Sequence, residues 1–217
     1  MIISSRNIDT IIKMLSETKT PEELFNPYRD VCDIHDKENA PEIRRINLRI
    51  LLEAYSKIKP KMIWVFEAPS FMGARRSGAP FVNEGMFSEI ETLLGIQERF
   101  KKATVTDAKT ALTSRIAWNV VGNLKQIPMI WESIPFHPHK KNNPMSNRKP
   151  DKSKILNYKH FIDYITKFIR PNVTISVGRT AEEILNLLNI PNTYVRHPAQ
   201  GGARKFQEQI KNLTPRN

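Results

Sequence analysis

Four short apolar runs recur along this chain, and each stops at a turn or a polar residue. Met62-Ile63-Trp64-Val65-Phe66 runs into Glu67-Ala68-Pro69-Ser70. Met129-Ile130-Trp131 precedes Glu132 and Pro135. Val173-Thr174-Ile175-Ser176-Val177 precedes Gly178, and Thr193-Tyr194-Val195 precedes His197-Pro198. Continuous apolarity, rather than alternation, marks strands buried on both faces. Helical periodicity separates the runs at about 83–94, 110–124, 155–169 and 181–188, and Thr180 with Glu183 reads as a capping box for the last of these. Two helices precede the first strand. One carries Ile8, Ile11, Ile12 and Leu15; the other, at about 42–57, carries Ile43, Ile46, Leu48, Ile50, Leu51 and Tyr55. Strands alternating with helices predict an α/β fold, a three-layer α/β/α sandwich around a small, mainly parallel four-stranded sheet.

In such a sheet ligands bind beyond the carboxyl ends of the strands. Here those ends carry Glu67, Glu132 and His197. The 217 residues suffice for one domain, 1–217, with 1–40 as an N-terminal helix and polar connector and 136–154 as a long basic loop. Lys plus Arg number 34 against 22 Asp plus Glu, a net charge of +12, which points to a polyanionic partner. The single cysteine, Cys32, rules out an internal disulfide, a thiolate zinc site and a four-cysteine iron–sulfur cluster. No apolar run approaches the ~20 residues of a membrane span, and the start is too polar for a secretory signal. A cytoplasmic monomer with no membrane partner is the expectation.

Three segments carry the chemistry. In FEAPSFMGARRSGAPFV, a glycine-containing loop follows a buried strand but matches neither GxGxxG nor the P-loop, so nucleotide binding is not supported. Arg75 and Arg76 suit phosphate contacts, and Phe81 sits where an aromatic face can stack on a base. In WESIPFHPHKK, Glu132 ends a buried strand, where a carboxylate is costly unless paired or working. His137 and His139 lack metal-ligand spacing partners, so no metal and no cofactor is expected; His137, Lys140 and Lys141 read as part of an anion-facing surface. In YVRHPAQGGARKF, His197 follows a strand, and a histidine there can donate a hydrogen bond to developing negative charge.

Taken in order, EAPS…GAPFV, WES-IPFHPH and RHPAQGGARKF resemble the motifs of the uracil-DNA glycosylase superfamily. The nearest pattern is that of bacterial members with GEAPG-, WNAFPFHPH- and HPSxGG-type motifs. The likeness extends to Phe25-Asn26-Pro27-Tyr28-Arg29-Asp30 and Ile43-Arg44-Arg45-Ile46-Asn47-Leu48, and so covers about residues 25–210. The resemblance implies an α/β/α sandwich that flips a base out of DNA and cleaves its N-glycosidic bond by water attack, without lyase chemistry. It places Glu67 and Ala68 at the leaving base and the attacking water, Phe81 against the flipped base, and His197 on the base O2. It also places Gln200, Gly201 and Arg204 in the loop that enters the minor groove, where the usual wedge leucine is missing.

The departures from the pattern are informative. Phe66 and Ser70 replace the two glycines of GEAPG, and Ala68 stands where other members carry a water-activating aspartate. Relatives that read uracil have asparagine at the position of Glu132. An ionised Glu132 can accept but not donate, so it would repel uracil O4 and suit the N4 amine of cytosine; protonated, it can also donate to N3. The expected target is therefore uracil-like or a modified cytosine, as in phage DNA, which would make the protein a defence factor. Two other readings stay open: a catalytically weak module that binds an altered base in DNA, single- or double-stranded, and an RNA-binding protein.

Overall fold

The computed structural model describes residues 5–151 and 155–214. The chain runs α1 (Ser5–Glu17), β1 (Leu24–Phe25), α2 (Ala40–Ile58), β2 (Met62–Phe66) and a one-turn α3 (Ala74–Ser77). A 3-10 turn (Glu84–Met86), α4 (Phe87–Leu94), α5 (Leu112–Val121), β3 (Met129–Glu132) and β4 (His137–Pro138) follow. The last elements are α6 (Lys159–Ile169), β5 (Val173–Val177), α7 (Arg179–Leu187), β6 (Thr193–Val195) and α8 (Ala203–Leu213). Residues 152–154, the end of the predicted basic loop, lie outside the described part, as do the first four residues of the chain.

The four apolar runs form one parallel sheet of order β3-β2-β5-β6, flanked by helices as a three-layer sandwich. Phe66 pairs with Glu132, Val65 with Ser176 and Val177 with Val195, so the four strands end together. Trp64, Val65, Ile130, Trp131 and Ile175 are fully buried, as continuous apolar strands require. The Trp64 ring meets Phe206 of α8 edge-on at 5.6 Å. Tyr55 of α2 reaches the free edge of β3, where its hydroxyl oxygen accepts from the Ile130 N–H at 3.2 Å. This covers an otherwise unpaired strand edge.

Helix α2 ends where Lys59 turns left-handed (φ 54°) and its N–H returns to the Tyr55 carbonyl; Pro60 cannot continue it. The capping box does not form. Gly178, with φ 91°, holds the N-cap of α7, no side chain caps it, and Thr180 lies within the first turn. The strand end already delivers the chain at an angle that only glycine takes easily, and this moves the helix start upstream of Thr180.

The predicted polar connector before α2 is tied down rather than loose. Leu24 and Phe25 pair antiparallel with Pro138 and His137 in a second, two-stranded sheet. Arg44, fully buried on α2, gathers the connector and the first loop. It donates to the carbonyls of Arg76 and Asp30 and pairs with Asp36. Asn47 donates to the carbonyls of Ser77 and Lys101, and Arg76 bonds Glu84, Thr104 and Thr106. Among the described residues no helix is long and apolar enough to cross a membrane.

Arg44→Met leaves Asp36 a buried carboxylate without its partner. It is expected to lower the unfolding free energy by about 3–5 kcal/mol, read as a reduced urea midpoint; an unchanged midpoint contradicts this role.

Candidate active site

The carboxyl end of the sheet is where buried polar groups collect. Among the described residues, buried side-chain atoms with no hydrogen-bond partner include Arg75 Nε and Nη1, Trp131 Nε1, Glu132 Oε2 and His137 Nδ1. All belong to the first loop, to the last two residues of β3 or to β4. A groove of ≈ 840 Å³ opens instead at the amino end of the sheet, lined by residues such as Met62, Asn123, Gln126, Ile127 and Gln207. None of those orphaned atoms lines it. A folded chain hides unsatisfied polar atoms at a cost, so they mark a candidate site more firmly than hollow volume does.

Glu132 is buried at the end of β3. Burial pushes its carboxyl pKa well above the ordinary carboxyl range, and no neighbouring cation counteracts this. Burial first, and then the nearby Glu132, raises the phenol of Tyr28, whose hydroxyl donates to the Gly78 carbonyl at 3.0 Å. Beyond the strand ends, the Ser133 N–H and hydroxyl both donate to the Phe66 carbonyl at 2.7 Å, and the Ile134 N–H donates to the Glu67 carbonyl. These bonds hold the first loop beside the β3 end. Glu67 and Ala68 there are half-buried.

His197 leans over the end of β5. The space it uses exists because Gly178 has no side chain: a Cβ there would stand 3.2 Å from the His197 Cβ. Gly202 is tighter still, since its Cβ would meet the His197 carbonyl oxygen at 2.0 Å. The Ala199 N–H donates to His197 Nδ1 at 3.1 Å, so a neutral ring carries its proton on Nε2. Burial, with Arg196 adding to it, lowers the His197 pKa to about 4. The result is a neutral imidazole with one fixed N–H to donate.

The His197 ring meets Phe66 edge-on at 5.8 Å, and Phe66 lies against Phe81 at 3.8 Å with 32° between the rings. Phe81 is buried, and its φ of 62° is a left-handed conformation unusual for an aromatic residue. The Trp118 Nε1–H donates to the Phe81 carbonyl and pins that turn. One face of Phe81 is thus covered by Phe66, the residue that stands in place of a glycine in the resembled motif.

Several expected surface contacts are elsewhere. Arg75, Arg76 and His137, read from sequence as anion-facing, are buried at 1%, 1% and 0% exposure. Arg76 is spent on Glu84 and the Thr104–Thr106 segment, which offset the cost of its buried charge. Lys140, Lys141, Gln200, Gly201 and Arg204 are exposed, and Gln200 and Gly201 take consecutive left-handed conformations at the tip of their loop. Among the described residues no group of three or more His, Cys, Asp or Glu side chains is placed to hold a metal ion.

Sequence reasoning gave no role to Phe25, Phe71 or Asn147. The Asn147 Oδ1 accepts from the Phe71 N–H at 2.8 Å and faces His137 Nε2 at 3.2 Å, so the basic loop closes against the first loop. Only Phe25 lay in a motif; nothing local in the sequence signals the other two. Compared with known proteins, the chain matches no family model and no curated sequence.

The imidazoles of His137 and His197 shift in the opposite sense to Glu132. His137 falls to about 3, through burial first and Arg75 second, and His197 to about 4. The unfolded rings, near pH 6.5, take up protons first, so stability declines as pH falls below about 6.5. The raised Glu132 pKa works the other way: the unfolded carboxyl loses its proton first, so stability declines as pH rises from about 4.5 towards the folded value. NMR titration is expected to show both rings neutral down to about pH 5. Glu132→Gln is expected to remove the alkaline component of the unfolding profile; retention of both components in that variant contradicts the assignment.

Proposed function

We propose that the protein is a DNA glycosylase that receives a flipped pyrimidine at the carboxyl end of the sheet and hydrolyses its N-glycosidic bond. The observation that carries the reading is His197: a half-buried, neutral ring whose Nε2–H is its one donor, seated against Gly178, whose left-handed backbone strains any side chain, and Gly202, which has no room for one. When the bond to C1′ breaks, the base leaves as an anion, with charge on O2. A pre-aimed neutral donor stabilises that charge without first giving up a proton. The ordered motifs around Glu67, Glu132 and His197, the net charge of +12 and the exposed Lys140, Lys141 and Arg204 support DNA as the substrate.

Burial changes how Glu132 reads a base. An ionised carboxylate was the reason to expect repulsion from uracil O4. The buried acid favours its protonated form, which is donor and acceptor at once. It matches uracil by accepting from N3–H and donating to O4. It matches cytosine by accepting from the N4 amine and donating to N3. Glu132 therefore defines a pyrimidine edge, and the choice between uracil and a modified cytosine falls to the rest of the pocket. Release of a modified cytosine would give the enzyme a role against phage DNA. Glu67, half-buried beside Ala68, is assigned the role of orienting the attacking water from its position in the first motif.

One observation favours a second reading. Phe66 already covers one face of Phe81, which suits a module that binds an altered base in DNA and cuts it slowly or not at all.

The test is base release from duplex and single-stranded DNA carrying uracil, hypoxanthine, cytosine, hydroxymethylcytosine or its glucosylated form. His197→Ala is expected to cut the rate by about 10²–10³-fold while leaving DNA affinity near wild type. Binding to one of these DNAs without release of its base would favour the second reading; RNA bound in preference to all of them would refute both. In the wild type, activity is expected to fall as pH rises through the raised Glu132 pKa, because the donor is lost. Glu132→Gln, a neutral donor–acceptor at every pH, is expected to keep activity and flatten that limb; an unchanged alkaline limb removes Glu132 as the reader.

A further inference from the structure

Arg75 and Arg76 of the first loop lie together with Arg44 of α2, and among the described residues only two of the three are matched by a carboxylate. Arg44 pairs with Asp36 and Arg76 with Glu84. Among the described residues Arg75, 1% exposed, finds no hydrogen-bond or ion-pair partner, and its Nε and Nη1 are buried without one. Its guanidinium lies 4.1 Å over the Phe25 ring and 5.6 Å from Phe71. Aromatic faces attract a cation but accept no ordinary hydrogen bond from its edge, so the Nε–H and Nη1–H remain without an acceptor and the charge without an anion.

Beside it stands an unanswered acceptor. Phe25 pairs in register with His137. The Asn147 Oδ1 is fixed as an acceptor by the Phe71 N–H, so His137 must turn a protonated Nε2 towards it. The His137 Nδ1 is then a bare lone pair, buried with no partner, and Arg75 is among the charges that hold its ring neutral. A ligand that completes this cluster needs negative oxygens for Arg75 and a proton to offer His137. A neutral hydroxyl leaves the buried charge unmatched, and a phosphodiester or sulfate has no proton to give.

We propose that Arg75 and His137 form a subsite for a terminal phosphate: inorganic phosphate or a phosphate monoester in its protonated form. The anionic oxygens accept from Arg75 Nε–H and Nη1–H, and the P–OH donates to His137 Nδ1. The turn at Phe71, held to the basic loop by Asn147, covers the site and must part to admit the group. The subsite is separate from the base reader and does not depend on glycosylase activity.

The experiment follows the Arg75 Nε–H and His137 ring resonances of the full chain during titration at about pH 6, near the second pKa of a phosphate monoester. The probes are inorganic phosphate, cytidine 5′-monophosphate, a 5′-phosphorylated oligonucleotide, sulfate and cytidine. Saturable shifts are expected with phosphate, and with whichever monoester is the physiological source, at concentrations at least tenfold below those needed for sulfate. Arg75→Gln is expected to weaken binding at least tenfold while staying folded, and Arg75→Lys to restore part of it. Phosphate is also expected to raise the melting temperature of the wild type but not of Arg75→Gln. No shift with any phosphate up to about 100 mM, or equal shifts with cytidine or sulfate, overturns the proposal. Phosphate binding in a protein that releases no base would leave this subsite standing and remove the glycosylase reading.

Discussion

The contact between Arg44 and Asp36 organises everything on one side of the sheet. Both side chains are fully buried, and the guanidinium also collects the carbonyls of Arg76 and Asp30. A helix, a connector and a loop with little regular structure of their own thus share one fastening. Apolar packing alone would place α2 against the sheet but leave those segments free to slide. Directional bonds from a single planar group remove that freedom. The close approach is possible because Gly78 faces Arg44: a Cβ there would stand 2.3 Å from the Arg44 Cβ.

From that anchoring the site follows by geometry. The first loop leaves β2 at Glu67, turns at Gly78 under Arg44 and returns through Phe81 to lie against Phe66. Register then brings Glu132 beside the β2 end, and the last loop sets His197 over β5. Glu67, Glu132 and His197 lie far apart in sequence. Their chemistry depends on four strands ending at one level.

The layers of the fold were legible because they rest on apolar runs, and a run buried on both faces has few other uses. The strand ends named Glu67, Glu132 and His197 for the same reason. What the sequence hid was partnership. Arg75 and Arg76 are neighbours of one residue type, yet one is matched by Glu84 and the other by nothing, and only packing decides that. Thr180 and Glu183 carry the letters of a cap, but Gly178 starts the helix earlier. The letter of Glu132 left its ionised and protonated forms both open, and only its burial tilts the balance towards the protonated one. Each failure concerns a long-range environment that local pattern cannot hold.

The place of β2 in the sheet also shapes how the chain is made. It lies between β3 and β5, and β5 lies roughly a hundred residues further along the chain. At about 5–20 residues per second, β2 leaves the ribosome several seconds before that partner exists. For that time the apolar run Ile63, Trp64, Val65 and Phe66 lacks the strand partner that β5 provides in the fold. The amphipathic helices α1 and α2 are made first and can shelter one face of it, so the order of synthesis itself guards the most aggregation-prone segment.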